Sequence, residues 1–135
     1  MKKSLLILFV LLFSTTVFSQ SISKRVTDFN LEKKVAIKGY DPVAYFKQGK
    51  AIKGKKEITA TYSGVVYQFS SIANKDFFVK NTNSYEPQYG GWCAYAMGSS
   101  GEKVEINPET FKIVDGKLYL FYNAFFFYIF ICRFI

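Results

Sequence analysis

The chain has 135 residues, a formal net charge of +8 and a hydrophobic fraction of 50 %, and it contains no histidine. The length fits one domain, and the lack of histidine excludes histidine bases, histidine metal ligands and serine–histidine–aspartate triads. The lysines are scattered along the chain, whereas a nucleic-acid-binding domain would concentrate them on one face, so we expect no nucleic-acid partner.

The first 19 residues have the pattern of a cleavable secretory signal peptide. Lysines precede an unbroken apolar run from Leu5 to Phe13, and Ser19 stands before Gln20. A basic start, a short apolar core and a small residue at the cut are the parts of such a peptide, whereas a membrane span needs roughly 20 apolar residues. We therefore expect cleavage near Ser19–Gln20, export to the periplasm or the extracellular space, and no integral membrane span in the mature chain.

The chain after the predicted cleavage site divides into three parts. Residues 20–33 are an N-terminal lead-in, whose polar stretch 21–30 we expect to be mobile or weakly helical. Residues 34–123 form the domain, and residues 124–135 form an apolar tail. Strand patterns occupy Lys33 to Lys38, Glu57 to Tyr62, Val65 to Phe69 and the two runs within Phe111 to Tyr122.

Two turns and one helix organise these segments. Ser63–Gly64 predicts one hairpin, and Asp115–Gly116 predicts a second with a two-residue turn. Ser70 or Ser71 is expected to cap a helix over Ile72 to Asn81. Gly90–Gly91 indicates backbone that passes close to another group, or a sharp bend before a strand. The expected fold class is α+β: a small antiparallel sheet with a short packed helix and β-hairpins at both ends of the domain.

An ordered set of motifs resembles a known family. The motifs are Tyr40-Asp41-Pro42-Val43-Ala44-Tyr45-Phe46, then Tyr62 to Ser71, then Pro87-Gln88-Tyr89-Gly90-Gly91-Trp92-Cys93-Ala94, and finally Phe111 to Asn123. Together they resemble the exported, single-domain branch of the YHS-domain family over residues 34 to 123. The resemblance implies a compact α+β domain.

The same resemblance implies an association with heavy metals, copper first. In metal-associated members, cysteines typically stand at the places of Ala44, Ser70 and Asn74. Soft ions such as Cu(I) and Zn²⁺ rely on thiolate or imidazole donors. Because all three thiols are missing and no histidine replaces them, that site cannot exist here in its usual form.

Cys93 and Met97 are the remaining soft donors in this region. If the segment is a strand, residues four apart share a face, and one thiolate with one thioether could bind Cu(I). The alternative is that Cys93 is a small buried core residue packed beside aromatic side chains.

A set of aromatic and acidic side chains could line a ligand pocket: Tyr40, Asp41, Tyr89, Trp92 and Tyr95. Phenol hydroxyls would then give polar contacts to a flat or apolar ligand. The alternative is that the aromatics form the core or its rim, and that Asp41 caps the turn before Pro42.

No paired carboxylates, activated nucleophile or phosphate-cradling loop is evident in the sequence. We therefore expect an exported, non-catalytic binding domain, and the resemblance to the YHS-domain family implies a metal ion, copper or another soft ion, as its ligand. The alternative is a small-molecule or protein-binding module that has lost the metal-binding cysteines. A third class, a redox enzyme, would depend on Cys93 alone.

The apolar tail after Asn123 departs from the family pattern. Residues 124–135 hold one charge, Arg133, and they are too few to cross a membrane. We interpret the tail as the product of a frameshift or truncation near Asn123, with a membrane-dipping or partner-docking segment as the alternative. Sequencing the 3′ end of the gene across codon 123 tests this, and an intact reading frame there would contradict the frameshift.

Overall fold

The computed structural model describes residue 22 and residues 24–134. The predicted signal peptide and its cleavage site lie outside these residues. The strands are β1 (Leu31–Glu32), β2 (Val35–Ala36), β3 (Lys55–Tyr62), β4 (Val65–Phe69), β5 (Asn107–Val114) and β6 (Lys117–Phe121). The helices are α1 (24–28), α2 (Pro42–Lys47), α3 (Ile72–Lys80), α4 (Thr82–Tyr85), α5 (Ala94–Ser99) and α6 (Ala124–Phe134), with 3-10 turns at Ile37–Gly39 and Gln88–Gly91. The predicted α+β class is confirmed.

The strands form two small sheets in the described chain. One has the order β1-β2-β4-β3, and the other pairs β5 with β6. All neighbours are antiparallel except β2 and β4, which run parallel at Val35 and Val66. Both predicted hairpins are confirmed, since β3 pairs with β4 and β5 pairs with β6. Asp115 and Gly116 have φ values of 50° and 69°, the left-handed pair that two-residue hairpin turns favour.

The first predicted strand is wrong for most of its length. Only Val35–Ala36 is extended, because Lys33 and Lys34 adopt φ values of 52° and 70° and form the turn between β1 and β2. Ile37 and Lys38 are also left-handed, with φ values of 53° and 50°. These two left-handed pairs turn the chain twice and lead it from the sheet into α2. The alternation of apolar residues in the sequence does not predict either turn.

The core lies where the helices cover the sheets. Tyr45, Tyr67, Phe69 and Phe78 are almost fully buried. The rings of Tyr67 and Phe69 lie 4.6 and 5.2 Å from the ring of Phe78 on α3. Burial of such aromatic side chains is the largest favourable contribution in a domain of this size. The predicted helix is confirmed at α3, and the hydroxyl of Ser71 caps it.

Residues 24–33 of the N-terminal lead-in are docked on the domain, and 24–28 form α1, so of the two alternatives the helical one is confirmed and the mobile one is wrong. The backbone N–H of Asn30 donates to the carbonyl of Gly90 at 2.9 Å, and its side-chain amide donates to the carbonyl of Gly91 at 3.2 Å. Phe29 lies so close that an added Cβ at Gly90 would be 3.1 Å from its ring. The glycine pair does pass close to another part of the chain, as its sequence indicates.

The apolar tail forms α6, and one side of this helix covers β6 and α5. Phe130 is buried with its ring 5.2 Å from that of Phe121, and Phe126 stacks on Tyr95 at 4.9 Å. The opposite side exposes Phe125 and Tyr128. None of the helices in residues 24–134 has the length and hydropathy needed to cross a bilayer. The frameshift origin of the tail stays a prediction.

Replacing Gly90 by alanine tests the docking of the lead-in, and Gly49→Ala is its matched control. Both glycines have a φ of +62°, but an added Cβ at Gly49 meets nothing within 4 Å. We expect both variants to lose about 1 kcal/mol for the left-handed backbone. Gly90→Ala should lose about 1 kcal/mol more, because Phe29 must move by a few tenths of an ångström to admit the Cβ. Urea denaturation measures both losses, and equal losses would contradict the close packing.

Candidate functional site

A buried carboxylate joins three elements of the fold. The Oδ1 atom of Asp41 accepts hydrogen bonds from the backbone N–H groups of Val43 at 2.9 Å and Ala44 at 3.2 Å. Its Oδ2 atom accepts from the backbone N–H of Ser70 at 2.8 Å, the Ser70 hydroxyl at 2.6 Å and the Asn74 amide at 2.7 Å. We call Asp41, Ser70 and Asn74 the Asp41 cluster.

The hydrogen bonds explain why a charged group is stable in this position. Asp41 is fully buried, and a buried carboxylate is costly unless donors surround it. An ionised carboxylate has about four lone-pair sites, and five donors occupy them here. The predicted capping role of Asp41 at α2 is confirmed. Its carboxylate has neither exposure nor unused acceptor capacity to offer a ligand.

The three positions that the resemblance associates with metal thiols lie together around this carboxylate. The backbone N–H of Ala44 and the side chains of Ser70 and Asn74 all donate to the Asp41 carboxylate. The Asn74 amide also donates to the Ser70 hydroxyl at 3.3 Å. The structure therefore brings these positions into one small volume. The hydroxyl and amide groups in this volume already form hydrogen bonds within the chain.

The residues present do not fit a soft metal ion at the Asp41 cluster. Copper(I) and zinc prefer thiolate and imidazole donors. The cluster offers a hydroxyl, an amide and a carboxylate whose acceptor sites are all occupied by hydrogen bonds from the protein. Across residues 24–134, no group of three or more histidine, cysteine, aspartate or glutamate side chains is placed to hold a metal ion.

Cys93 and Met97 lie on a helix, not on a strand as expected. Cys93 is the N-cap residue of α5, and its carbonyl accepts a hydrogen bond from the Met97 N–H at 3.0 Å. The backbones of Cys93 and Met97 are therefore neighbours across the first turn of α5. The thiol is fully buried and Met97 is partly buried. Cys132 is exposed, and it forms no disulfide with Cys93.

Trp92 and Tyr95, two of the predicted ligand-binding aromatics, serve the fold itself. The indole N–H of Trp92 donates to the backbone carbonyl of Asp28 at 2.7 Å, which fastens the lead-in to the domain. Tyr95 stacks on Phe126 of α6 with an angle of 13° between the rings. Both rings therefore bury surface of this chain's own termini.

Tyr40 and Tyr89, the other two aromatics, lie in separate surroundings. Tyr40 has the ammonium group of Lys53 4.8 Å from its ring centre, a cation–π contact. Tyr89 is 44 % exposed, and its ring centre is 6.3 Å from that of Tyr119. None of the predicted ligand-binding residues lines the clefts at the β1–β2 hairpin or beside α6.

Two buried tyrosines use their hydroxyls as hydrogen-bond donors. The hydroxyl of Tyr45 donates to the carbonyl of Pro108 at 2.9 Å, and that of Tyr67 donates to Glu86, which also pairs with Arg25. Burial, followed by neighbouring negative charge, raises the pKa of both phenols above the ordinary value. Both phenols therefore stay protonated at neutral pH and cannot act as bases.

A cleft lined by lysines is the feature that sequence reasoning missed. It has a volume of about 240 Å³ and lies beside the β1–β2 hairpin. We call it the lysine cleft, and its lining residues are Glu32, Lys33, Val35, Lys38, Gly39, Lys53, Lys56 and Gln68. The lysines come from two separate parts of the sequence, 33–38 and 53–56. Local charge runs gave no signal that they would meet.

The wall of the lysine cleft contains strained backbone. Of the seven residues from Lys33 to Gly39, five have a positive φ. Ile37 is 2 % exposed at a φ of 53°, and a β-branched residue in this region is a genuine outlier. Such a conformation costs on the order of 1–3 kcal/mol, and such outliers concentrate at functional sites.

Asp41→Asn tests the role of the Asp41 cluster, with Asp115→Asn as the matched control. The new amide of Asp41→Asn would point its N–H groups at other donors, so we expect a loss of about 2–4 kcal/mol of unfolding free energy. Asp115 is in an exposed turn with a φ of 50°, which asparagine tolerates, and its variant should change stability by less than about 0.5 kcal/mol. Chemical denaturation gives both values, and similar small losses would contradict the assigned role.

Known proteins offer no further guide to the site. No family model, no curated protein and no solved structure matches this chain.

Proposed function

We propose that the chain is an exported, non-catalytic binding domain with a YHS-like fold that requires no bound metal ion. The Asp41 cluster is the observation that carries the proposal. The positions that would hold metal thiols in a metal-associated relative, Ala44, Ser70 and Asn74, here surround a carboxylate saturated by protein donors. These residues stabilise the scaffold without a metal ion, which favours the alternative of a module that has lost the metal-binding cysteines.

The surroundings of the ionisable groups support binding rather than catalysis. A general base must reach the substrate with an available lone pair, and the carboxylate of Asp41 is buried and fully hydrogen-bonded. The phenols of Tyr45 and Tyr67 are buried with raised pKa values. These three groups therefore act as structural hydrogen-bonding groups.

A copper site at Cys93 and Met97 is the second candidate, favoured by their neighbouring positions on α5. A bound Cu(I) ion would be held by the Cys93 thiolate and the Met97 thioether, the soft donors that this ion prefers. Burial of Cys93 opposes this candidate, because its side chain has no exposed surface that an incoming ion could reach.

Metal titration separates the two candidates. The protein recovered outside the cytoplasm should begin at Gln20, and its melting temperature should not change when a chelator is added. Titration with Cu(I) and Zn²⁺ should give no binding that depends on Cys93. Cys93→Ser is compared with Cys132→Ser, because Cys132 is exposed and can take up metal adventitiously. Micromolar or tighter binding that Cys93→Ser abolishes and Cys132→Ser keeps would contradict the proposal and support copper.

A further inference from the structure

The lysine cleft carries an excess of positive charge that the described part of the chain does not neutralise. Lys38 pairs with Glu105 at 3.2 Å. Lys33, Lys53 and Lys56 are exposed and form no ion pair with any part of the chain that the structure describes. Glu32 and Glu105 together offset two of the four lysines, so a local excess of two positive charges remains.

One of these lysines is held in position before any ligand binds. The ammonium group of Lys53 donates to the backbone carbonyl of Lys38 at 2.5 Å and lies over the ring of Tyr40. An ammonium group has three donor hydrogens, so this arrangement leaves donors that can point into the cleft. A fixed side chain loses less conformational freedom on binding than a free one.

The backbone of the cleft wall is left-handed at several positions. The left-handed residues Lys33, Lys38 and Gly39 line it, and turns of this kind can present backbone N–H groups to an anion. Gln68 lies against Gly39 so closely that a Cβ there would be 2.6 Å from its side-chain oxygen. The Gln68 side chain therefore packs against the buried backbone of Gly39 in the cleft wall.

We propose that the lysine cleft is a binding site for a small, multiply charged phosphoanion. This inference rests on the proposed binding function and names the ligand class. Ammonium groups act as compact point charges that suit phosphate, and four lysines line the cleft. The volume of about 240 Å³ is below the range of drug-sized pockets, so the ligand is small.

Calorimetric titration with inorganic pyrophosphate at low ionic strength tests the site. Lys53→Gln should weaken binding about tenfold, the ratio expected when one charge-assisted hydrogen bond is lost. Glu32→Gln should strengthen it about threefold, because a repelling charge is removed from the cleft. The matched control is Lys112→Gln, which makes the same charge change on β5 outside the cleft, and it should alter affinity less than about twofold.

Four results would overturn the proposal. The first is no pyrophosphate binding at low salt, and the second is an equal loss in Lys53→Gln and Lys112→Gln, which would indicate diffuse attraction. The third is citrate binding as tight as pyrophosphate binding, which would exclude phosphoryl selectivity. Phosphatidylcholine vesicles with and without phosphatidic acid test whether the phosphoryl group belongs to a lipid. The fourth result is a protein that binds the vesicles containing phosphatidic acid but does not bind pyrophosphate. If all of these binding experiments fail, the proposed metal-free fold still stands, because it is tested separately by the melting temperature with and without a chelator.

Discussion

The Asp41 carboxylate is the interaction on which the rest of the domain depends. It is a negative charge in the interior, and its five hydrogen bonds come from the start of α2, the end of β4 and the first turn of α3. A buried charge tolerates little displacement, because each lost donor exposes it to an apolar interior. The carboxylate therefore fixes the relative positions of a sheet and two helices, which apolar packing alone would leave less specific.

The chain termini complete this scaffold from opposite ends. The lead-in is held by hydrogen bonds from Asn30 and Trp92 and by the Arg25–Glu86 ion pair. At the other end α6 covers β6 and α5 with Phe126 and Phe130. Trp92 and Tyr95, two of the aromatic residues predicted to line a ligand pocket, are used in these contacts. The polar surface near the β1–β2 hairpin is consequently the better place for a ligand.

The Asp41 cluster and the lysine cleft are linked by a short strained segment. Ile37, Lys38 and Gly39 form the wall of the cleft or lie directly beneath it, and Asp41 follows two residues later. The backbone N–H of Asp41 also donates to the carbonyl of Ile52, just before Lys53. The buried carboxylate thus anchors the backbone that positions two cleft lysines, so a structural interaction in the core supports the candidate binding surface.

The sequence by itself determined the fold class, both hairpins, the capped helix α3 and the close approach at Gly90–Gly91. Each of these depends on neighbouring residues: β-branched alternation, a two-residue turn, a serine cap or a missing side chain. Only the tertiary structure decided that Ser70 and Asn74 meet Asp41, that Trp92 binds the lead-in, and that Lys33, Lys53 and Lys56 share a cleft. These contacts join residues distant in the chain, and no local pattern encodes them, because their geometry follows from how the sheet and helices pack.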